Sequence, residues 1–352
     1  MMKIIDKKKP VMVTGATGYV AGQLVQLLLQ KGFLVHAAIR DLDHPEKLKY
    51  LNAIADQAPG KIQYFKSDLL KKGSYAEAMS GCELVFHLAS PFTLKVDNPL
   101  KELIEPAKLG TRNVLEQATK TPSVKRVVLT SSVAAIYSDN ADIKKTPGGI
   151  FNENVWNTTS SLEYQPYFYS KTIAEKEAWN IAEKQNQWDL VVINPSLIIG
   201  PGINPYATSE SFRMVKQFGD GSLKMGCPHY GFGIVDVRDV AMAHFKAGFT
   251  PEASGRYLIH AHNTDLYEMG RALLDKYGKD YPIPRRALPK WVVWLFGPMI
   301  NKAMTRKMVH LNVGIPWLGD HSKGVRELGL TYRPMKESME EMFQQLIDAN
   351  II

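Results

Sequence analysis

Cysteine is nearly missing from this chain. Cys82 and Cys227 are the only two among 352 residues, too few and too far apart for a disulfide frame or a zinc site. They predict a reducing compartment, the cytoplasm. Long hydrophobic runs are missing too. The longest, Trp291 to Ile300, has ten residues and an internal Gly297-Pro298, whereas a membrane helix needs about 20. Met1 to Pro10 holds lysines but no apolar stretch of the kind a secretory leader requires. These absences predict a soluble protein. No internal repeat or low-complexity tract is present, and no dense Lys/Arg run interleaves with aromatics, so nucleic acid is not an expected partner.

What is present is a globular composition, 45% hydrophobic and 22% charged, which excludes a disordered polymer and a fibre. A chain of roughly 300 residues buries about three-quarters of its unfolded surface, so one large domain, or a domain with a smaller lobe, fits the length. Forty-three Lys+Arg against thirty-five Asp+Glu leave a net charge of +8. That excess suits either a lysine-rich surface or an anionic partner.

Short apolar runs alternate with helical patterns over the first part of the chain. Val11 to Val13 precedes a glycine-containing turn, after which Val20, Leu24, Leu27 and Leu28 mark one face of a helix. Gly32 stops it, and Leu34 to Ile39 reads as a second strand. Ile62–Phe65, Leu84–Leu88, Val127–Thr130 and Leu190–Ile193 read as further strands, with helices near Tyr75–Met79, Leu100–Thr119 and Tyr167–Ala182. Strands alternating with helices predict an α/β fold, a doubly wound parallel sheet of the Rossmann type. After Asn194-Pro195 the rhythm breaks. We expect a nucleotide-binding domain over 1–195, with 233–248 packing back onto it, and a smaller C-terminal α/β lobe over 196–352 for the substrate.

Three motifs carry chemistry. Thr14-Gly15-Ala16-Thr17-Gly18-Tyr19-Val20-Ala21 lies between the first strand and the first helix. There, glycine lets the backbone turn tightly and approach a pyrophosphate, which gains from the helix's unpaired N–H groups and its dipole. Arg40 closes the second strand, with Asp41 after it and Lys47 further on. NAD-binding folds usually place an acid here to hold the ribose hydroxyls; a guanidinium suits a 2′-phosphate instead. The reading is NADP(H), against the alternative of a surface Arg–Asp pair. The third motif is Tyr167-Phe168-Tyr169-Ser170-Lys171 with Ser132 upstream. Four residues apart, Tyr167 and Lys171 share one helix face. A phenol is a poor proton catalyst at neutral pH until a nearby ammonium favours its phenolate. Ser132 follows the strand Val127–Thr130, where ligands meet open parallel sheets.

These residues resemble the extended short-chain dehydrogenase/reductase superfamily, within it the branch of dihydroflavonol reductases, cinnamoyl-CoA reductases and fungal methylglyoxal/aldehyde reductases. The resemblance runs from about Val11 to Ala247. It includes Val35 to Asp41 with Lys47, Ser67-Asp68-Leu69, Phe86 to Pro91, Thr130-Ser131-Ser132, Tyr167 to Lys171, Asn194 to Leu197, and Asp236 to Ala241. It implies that Ser132, Tyr167 and Lys171 are catalytic. It further implies that Gly15, Thr17, Gly18, Tyr19 and Val20 line the pyrophosphate turn and that Arg40 and Lys47 hold the 2′-phosphate. Asp68 and Leu69 would flank the adenine, and Leu88, Ala89 and Ser90 would line the cofactor cleft. Lys171 would also bond the nicotinamide ribose, with Pro195, Ser196 and Leu197 beside the nicotinamide. No metal is implied.

Some positions depart from the family pattern. Ala21 takes the third glycine place, as in aldehyde-reductase members. Ala107 stands where many extended members carry Asn, so a proton relay through that side chain is unsupported. Tyr137 stands where plant dihydroflavonol reductases place an Asn that reads the flavonoid ring. Gln165-Pro166-Tyr167-Phe168 differs from the Asn-Trp-Tyr-Cys of cinnamoyl-CoA reductases. Neither plant substrate is expected.

The expected activity is NADPH-dependent reduction of a small-molecule aldehyde or ketone by a monomer or homodimer. The rivals are a sugar-nucleotide epimerase or dehydratase on the same scaffold and a non-enzymatic NADP sensor. Further expectations follow from single features. His87, inside an apolar strand, reads as a hydrogen-bonded structural residue. Ser138 to Gln165, longer than the roughly 15 residues usual for a connection, reads as a substrate-facing cover or a structural loop. Met214, Phe218, Met225 and Tyr230 read as core of the second lobe rather than as a pocket. Between Tyr281 and Gly319 there is no Asp or Glu, while Arg285, Arg286, Lys290, Lys302, Arg306 and Lys307 surround the apolar run. Trp291, Trp294 and Leu295, at i, i+3 and i+4, are expected to pack a short helix onto the second lobe, with no stable membrane association.

Overall fold

The computed structural model describes residues 3–43, 45–90, 96–301 and 304–352. Pro91 and Lys302, quoted above, lie outside the described residues.

The first half alternates as the apolar periodicity predicts. Strand β1 (Val11–Thr14) leads to α1 (Tyr19–Gln30), β2 (Leu34–Ile39), α2 (Pro45–Ala55), β3 (Lys61–Lys66), the short α3 (Ala76–Met79) and β4 (Leu84–His87). A π-helical turn, Leu100–Ile104, then runs into α4 (Glu105–Lys120). Pro106 lies just after this π-helical turn, at the second position of α4. After β5 (Arg126–Thr130) come α5 (Pro166–Ala182) and β6 (Asp189–Pro195).

Strands β1 to β6 lie parallel in the order 3-2-1-4-5-6, and β10 (Gly255–Ile259) adds a seventh beside β6. That is the doubly wound arrangement, with its switch point between β1 and β4. Both faces of the sheet are covered over its central strands, of which β5 and β6 carry apolar runs rather than an alternation, while the edge strand β3 has no buried residue. One core cluster gathers α1 and α7 (Val237–Phe249) against one face; the other gathers α3, α4 and α5.

The remaining elements build the second lobe. Strands β7 (Leu197–Ile199), β9 (Gly231–Asp236) and β11 (His262–Asp265) form a three-stranded sheet, beside which α6 (Glu210–Gly219), α8 (Leu266–Tyr277) and α12 (Met335–Asp348) share a core. A two-strand pair joins β8 (Cys227–Pro228) to β12 (Ala287–Leu288). Three more helices are α9 (Lys290–Ile300), α10 (Arg306–Asn312) and α11 (Ser322–Leu328). Of the stretch 233–248, the helical part packs on the main sheet as α7, while its strand part pairs within the smaller sheet.

Several expectations for the second lobe change here. Phe218 is fully buried and Met214 packs against the lobe's core, but Met225 is 70% exposed. Trp291, Trp294 and Leu295 do not pack onto the lobe. Trp291 is 67% exposed, and within α9 only Val293 and Gly297 are buried. The helix is apolar almost all round, so its periodicity carried no information about which side would be covered. Cys82 and Cys227 are free and buried, and burial pushes both thiols up to about 12.

Candidate active site

The sequence-predicted residues lie at or just after the ends of strands β1 to β6 or on helices α1, α2 and α5. Gly15 follows β1 with φ +63°, and a Cβ there would lie 3.1 Å from the Ala89 Cα. Glycine is required on both counts, for the left-handed backbone and for the close approach of the loop after β4. Thr14 holds that approach. Its hydroxyl oxygen accepts from Leu88 N at 3.0 Å and Ala89 N at 2.9 Å and lies 3.0 Å from His87 Nδ1. With both lone pairs engaged, the Thr14 hydroxyl proton points at His87, which must accept and stay neutral. Burial, with the Lys171 charge nearby, holds the His87 imidazole down at about 3. His87 is the structural residue expected.

Gly18 caps α1 without any side-chain hydrogen bond, and the helix's first turn has no acid. Its N–H groups and positive dipole end are left for an anion. Thr17 and Val20 are part-exposed along this turn. The Tyr19 side chain points elsewhere. Its hydroxyl donates to Gly200 O at 2.5 Å and its ring meets Phe212 edge-on, so the phenol fastens α1 to the second lobe. Burial raises its pKa well above the ordinary tyrosine value.

At the end of β2 the cation pairing is specific. Lys47 Nζ bonds Asp41 Oδ2 at 3.1 Å. The acid thus has a lysine partner, while the exposed Arg40 side chain has no partner among the described residues. Beyond β3, the exposed Asp68 accepts from Leu70 N at 2.8 Å. Leu69 packs so closely on Gly110 of α4 that a Cβ there would come within 2.5 Å of the Leu69 Cγ.

Helix α5 delivers the Tyr–Lys pair. Gln165 enters it in the left-handed region at φ 56°, and Pro166 fixes the first turn, so the chain bends sharply just before Tyr167. The Tyr167 ring is 45% exposed. Lys171 Nζ lies 5.8 Å from the centre of that ring and bonds Ser90 Oγ at 2.9 Å, bridging α5 to the end of β4. Ser132 starts the 3-10 turn Val133–Ala135 and accepts from Ala134 N at 3.1 Å. Thr172, next to Lys171, donates to Ala134 O at 3.4 Å, which holds α5 against that turn. Pro195 and Ser196 are buried and Leu197 is half-buried at the end of β6; Ser196 N donates to Ile259 O at 3.0 Å.

Beneath the pair lies a polar network that motif reading did not single out. The fully buried Glu175 carboxylate accepts from Ser131 Oγ at 2.5 Å, Asn194 Nδ2 at 2.7 Å and Arg256 Nε at 2.6 Å. Asn194 also donates to Ser132 O at 3.1 Å, and Arg256 Nη1 donates to the carbonyls of Glu153 and Val155. One signal was available. Glu175 and Arg256 are lone charges, one on the buried face of a helix and the other inside an apolar strand, where charges survive only in pairs.

Part of the long connection 138–165 is packed into the fold. Phe151 is fully buried, stacked at 5.9 Å on Trp317 and 4.7 Å from Tyr137, and Trp156 lies 3.9 Å from the Arg256 guanidinium. Tyr137 is itself buried in this aromatic group beside Phe168.

The family model for the NAD dependent epimerase/dehydratase family matches residues 11–259. The chain belongs to that family. Within this family, cinnamoyl-CoA reductase CAD2 of Medicago truncatula is 35% identical over 339 residues, covering 96% of this chain and 95% of the relative. Anthocyanidin reductase of Arabidopsis thaliana is 36% identical over 282 residues, covering 77% of this chain and 81% of its own length. Among solved structures, Gre2 from Candida albicans in complex with NADPH superposes with a TM-score of 0.77 at 26% identity, covering 97% of this chain and 99% of that one. The extended short-chain dehydrogenase/reductase assignment and the doubly wound fold both hold.

Proposed function

We propose that the protein is a cytoplasmic NADPH-dependent carbonyl reductase that converts an aldehyde or ketone to an alcohol. The observation that carries this reading is the Tyr167–Lys171 pair on α5, with Lys171 bonded to Ser90 and Ser132 at the end of the neighbouring strand. Similarity to reductases over nearly the whole chain supports it over the epimerase alternative. We further propose that 1–195 holds the cofactor and 196–352 covers the substrate.

The chain's own residues fit a phosphorylated dinucleotide. The glycine at φ +63° against Ala89, the α1 N-terminus without an acid and the exposed Arg40, which has no partner among the described residues, together suit two phosphates and a third on the ribose. Gly15, Thr17, Gly18 and Val20 would hold the pyrophosphate through the backbone; Arg40, with Lys47 beside it, would hold the 2′-phosphate. Bound there, NADPH supplies a hydride. Tyr167 gives a proton to the substrate oxygen, and the Lys171 ammonium stabilises the phenolate left behind. Ser132 donates a hydrogen bond to the same oxygen. Leu88, Ala89, Ser90, Pro195, Ser196 and Leu197 shape the cleft, and the protein contributes placement and electrostatics.

A panel of aldehydes and ketones, followed by loss of reduced-nicotinamide absorbance, tests the proposal. Turnover with NADPH is expected. Binding of NADPH without turnover of any carbonyl would favour the sensor. Nucleotide retained through purification, together with interconversion of a sugar nucleotide without net oxidation, would favour the epimerase.

A further inference from the structure

Helix α9 is out of balance with its surroundings. Apart from Lys290 it is wholly apolar, and such helices are ordinarily buried on every side. Here the support is narrow. Val293 packs with Val309 and Val313, and Gly297 faces Met304 so closely that a Cβ would meet its sulfur at 2.9 Å. The rest of the circumference, carrying Trp291, Trp294, Leu295, Phe296, Met299 and Ile300, is exposed, with Met299 at 81% and Ile300 at 85%. A contiguous apolar patch of this kind marks an interaction surface.

Its rim is cationic. Residues 281–319 contain no acid, and Arg285, Arg286, Arg306 and Lys307 are exposed around the helix. The Arg306 guanidinium lies 4.6 Å from the centre of the Trp294 ring. We propose that α9 and these flanking cations dock the protein on an anionic lipid surface. Tryptophan rings and apolar tips suit the boundary between headgroups and acyl chains, and arginines and lysines suit the anionic headgroups. A second copy of the chain is disfavoured on charge, since a self-complementary contact would bring two acid-free cationic rims together.

The surface sits on the substrate side. Asn312 at the end of α10 donates to Asp139, which accepts from the Tyr164 hydroxyl at 2.9 Å, and Lys307 lies 3.5 Å from the centre of the Tyr164 ring. Docking therefore brings the bilayer near the entry to α5. It does not depend on the catalytic reading.

The test is flotation of the full chain with phosphatidylcholine vesicles, with and without phosphatidylserine, alongside gel filtration. Co-flotation is expected with the serine-containing vesicles only, and it should be lost at about 1 M salt, where the screening length falls to about 3 Å. Arg285→Glu with Arg286→Glu should cut partitioning by about tenfold or more. Trp291→Ser with Leu295→Ser should abolish it while thermal stability and NADPH binding stay unchanged, which separates lost docking from misfolding. No flotation, equal flotation on neutral vesicles, or a dimer dissolved by the Trp291/Leu295 pair of changes would each overturn the proposal.

Discussion

The buried Glu175–Arg256 pair gives the sharpest test of how the fold holds the site. Among the described residues, Glu175→Ala removes the only carboxylate on a guanidinium that is 7% exposed, leaving it with backbone carbonyls and the Trp156 ring. An uncompensated buried charge of this kind costs about 3–5 kcal/mol. Arg256→Met should cost a similar amount, because the carboxylate then keeps only the neutral donors Ser131, Asn194 and Trp179. Replacing both by apolar residues, Glu175→Ala with Arg256→Met, strands no charge. It still leaves Ser131, Asn194 and two carbonyls short of partners, at about 1–3 kcal/mol for each group left unsatisfied. Those groups lose their partners in the single changes too, so they cancel in the cycle, and the stranded charge alone should make the double cost less than the sum of the singles by at least about 2 kcal/mol. Urea unfolding of the four proteins measures the cycle. Strict additivity, or a Glu175→Ala cost below about 1 kcal/mol, would mean that the pair is solvated and the reasoning wrong.

Other outcomes follow from the site. Tyr167→Phe should retain the fold and NADPH binding while turnover drops by about 10²–10⁴; Tyr169→Phe is the control, and near-normal turnover in Tyr167→Phe would remove the proton donor from the mechanism. Arg40→Ala should weaken NADPH about tenfold or more and leave NADH almost unchanged in titrations; equal losses would assign Arg40 a structural role. Burial holds His87 at about 3 and His244 at about 4, both below the ordinary value near 6.5. Between those limits the unfolded chain binds the extra protons, so stability is complete above about pH 6.5 and falls as pH drops toward 4. Each histidine contributes a slope of up to about 1.4 kcal/mol per pH unit. Denaturation midpoints measured from about pH 8 to about pH 5 should show this fall, and a flat profile would contradict it.

Local signals were readable because they are local. The strands of the main sheet are short β-branched runs, the glycine turn joins neighbouring elements, and the Tyr167–Lys171 spacing is one helical turn. Three features lay beyond that reach. The seventh strand, β10, comes from outside the alternating region, and no periodicity says which strand it joins. The partners Glu175–Arg256 and Ser90–Lys171 are each about eighty residues apart in sequence. The exposure of α9 is a property of what surrounds it, and an all-apolar helix does not declare its outer face. The pairing of Asp41 with Lys47 rather than Arg40 likewise needed side-chain geometry.

The late arrival of β10 has a consequence for how the protein is made. The carboxylate of Glu175 is synthesised with α5, yet its cation emerges only when Arg256 leaves the ribosome. Until then the acid beneath the Tyr–Lys pair lacks its cation, and seating α5 against β5 and β6 would bury an uncompensated charge at a cost of about 3–5 kcal/mol. The open edge of β6 also waits for the same five residues, Gly255–Ile259. Final seating of α5 thus waits on a non-local pairing of the slow kind. A chain cut at residue 195 would keep Ser132, Tyr167 and Lys171 while lacking the cation that pairs with Glu175.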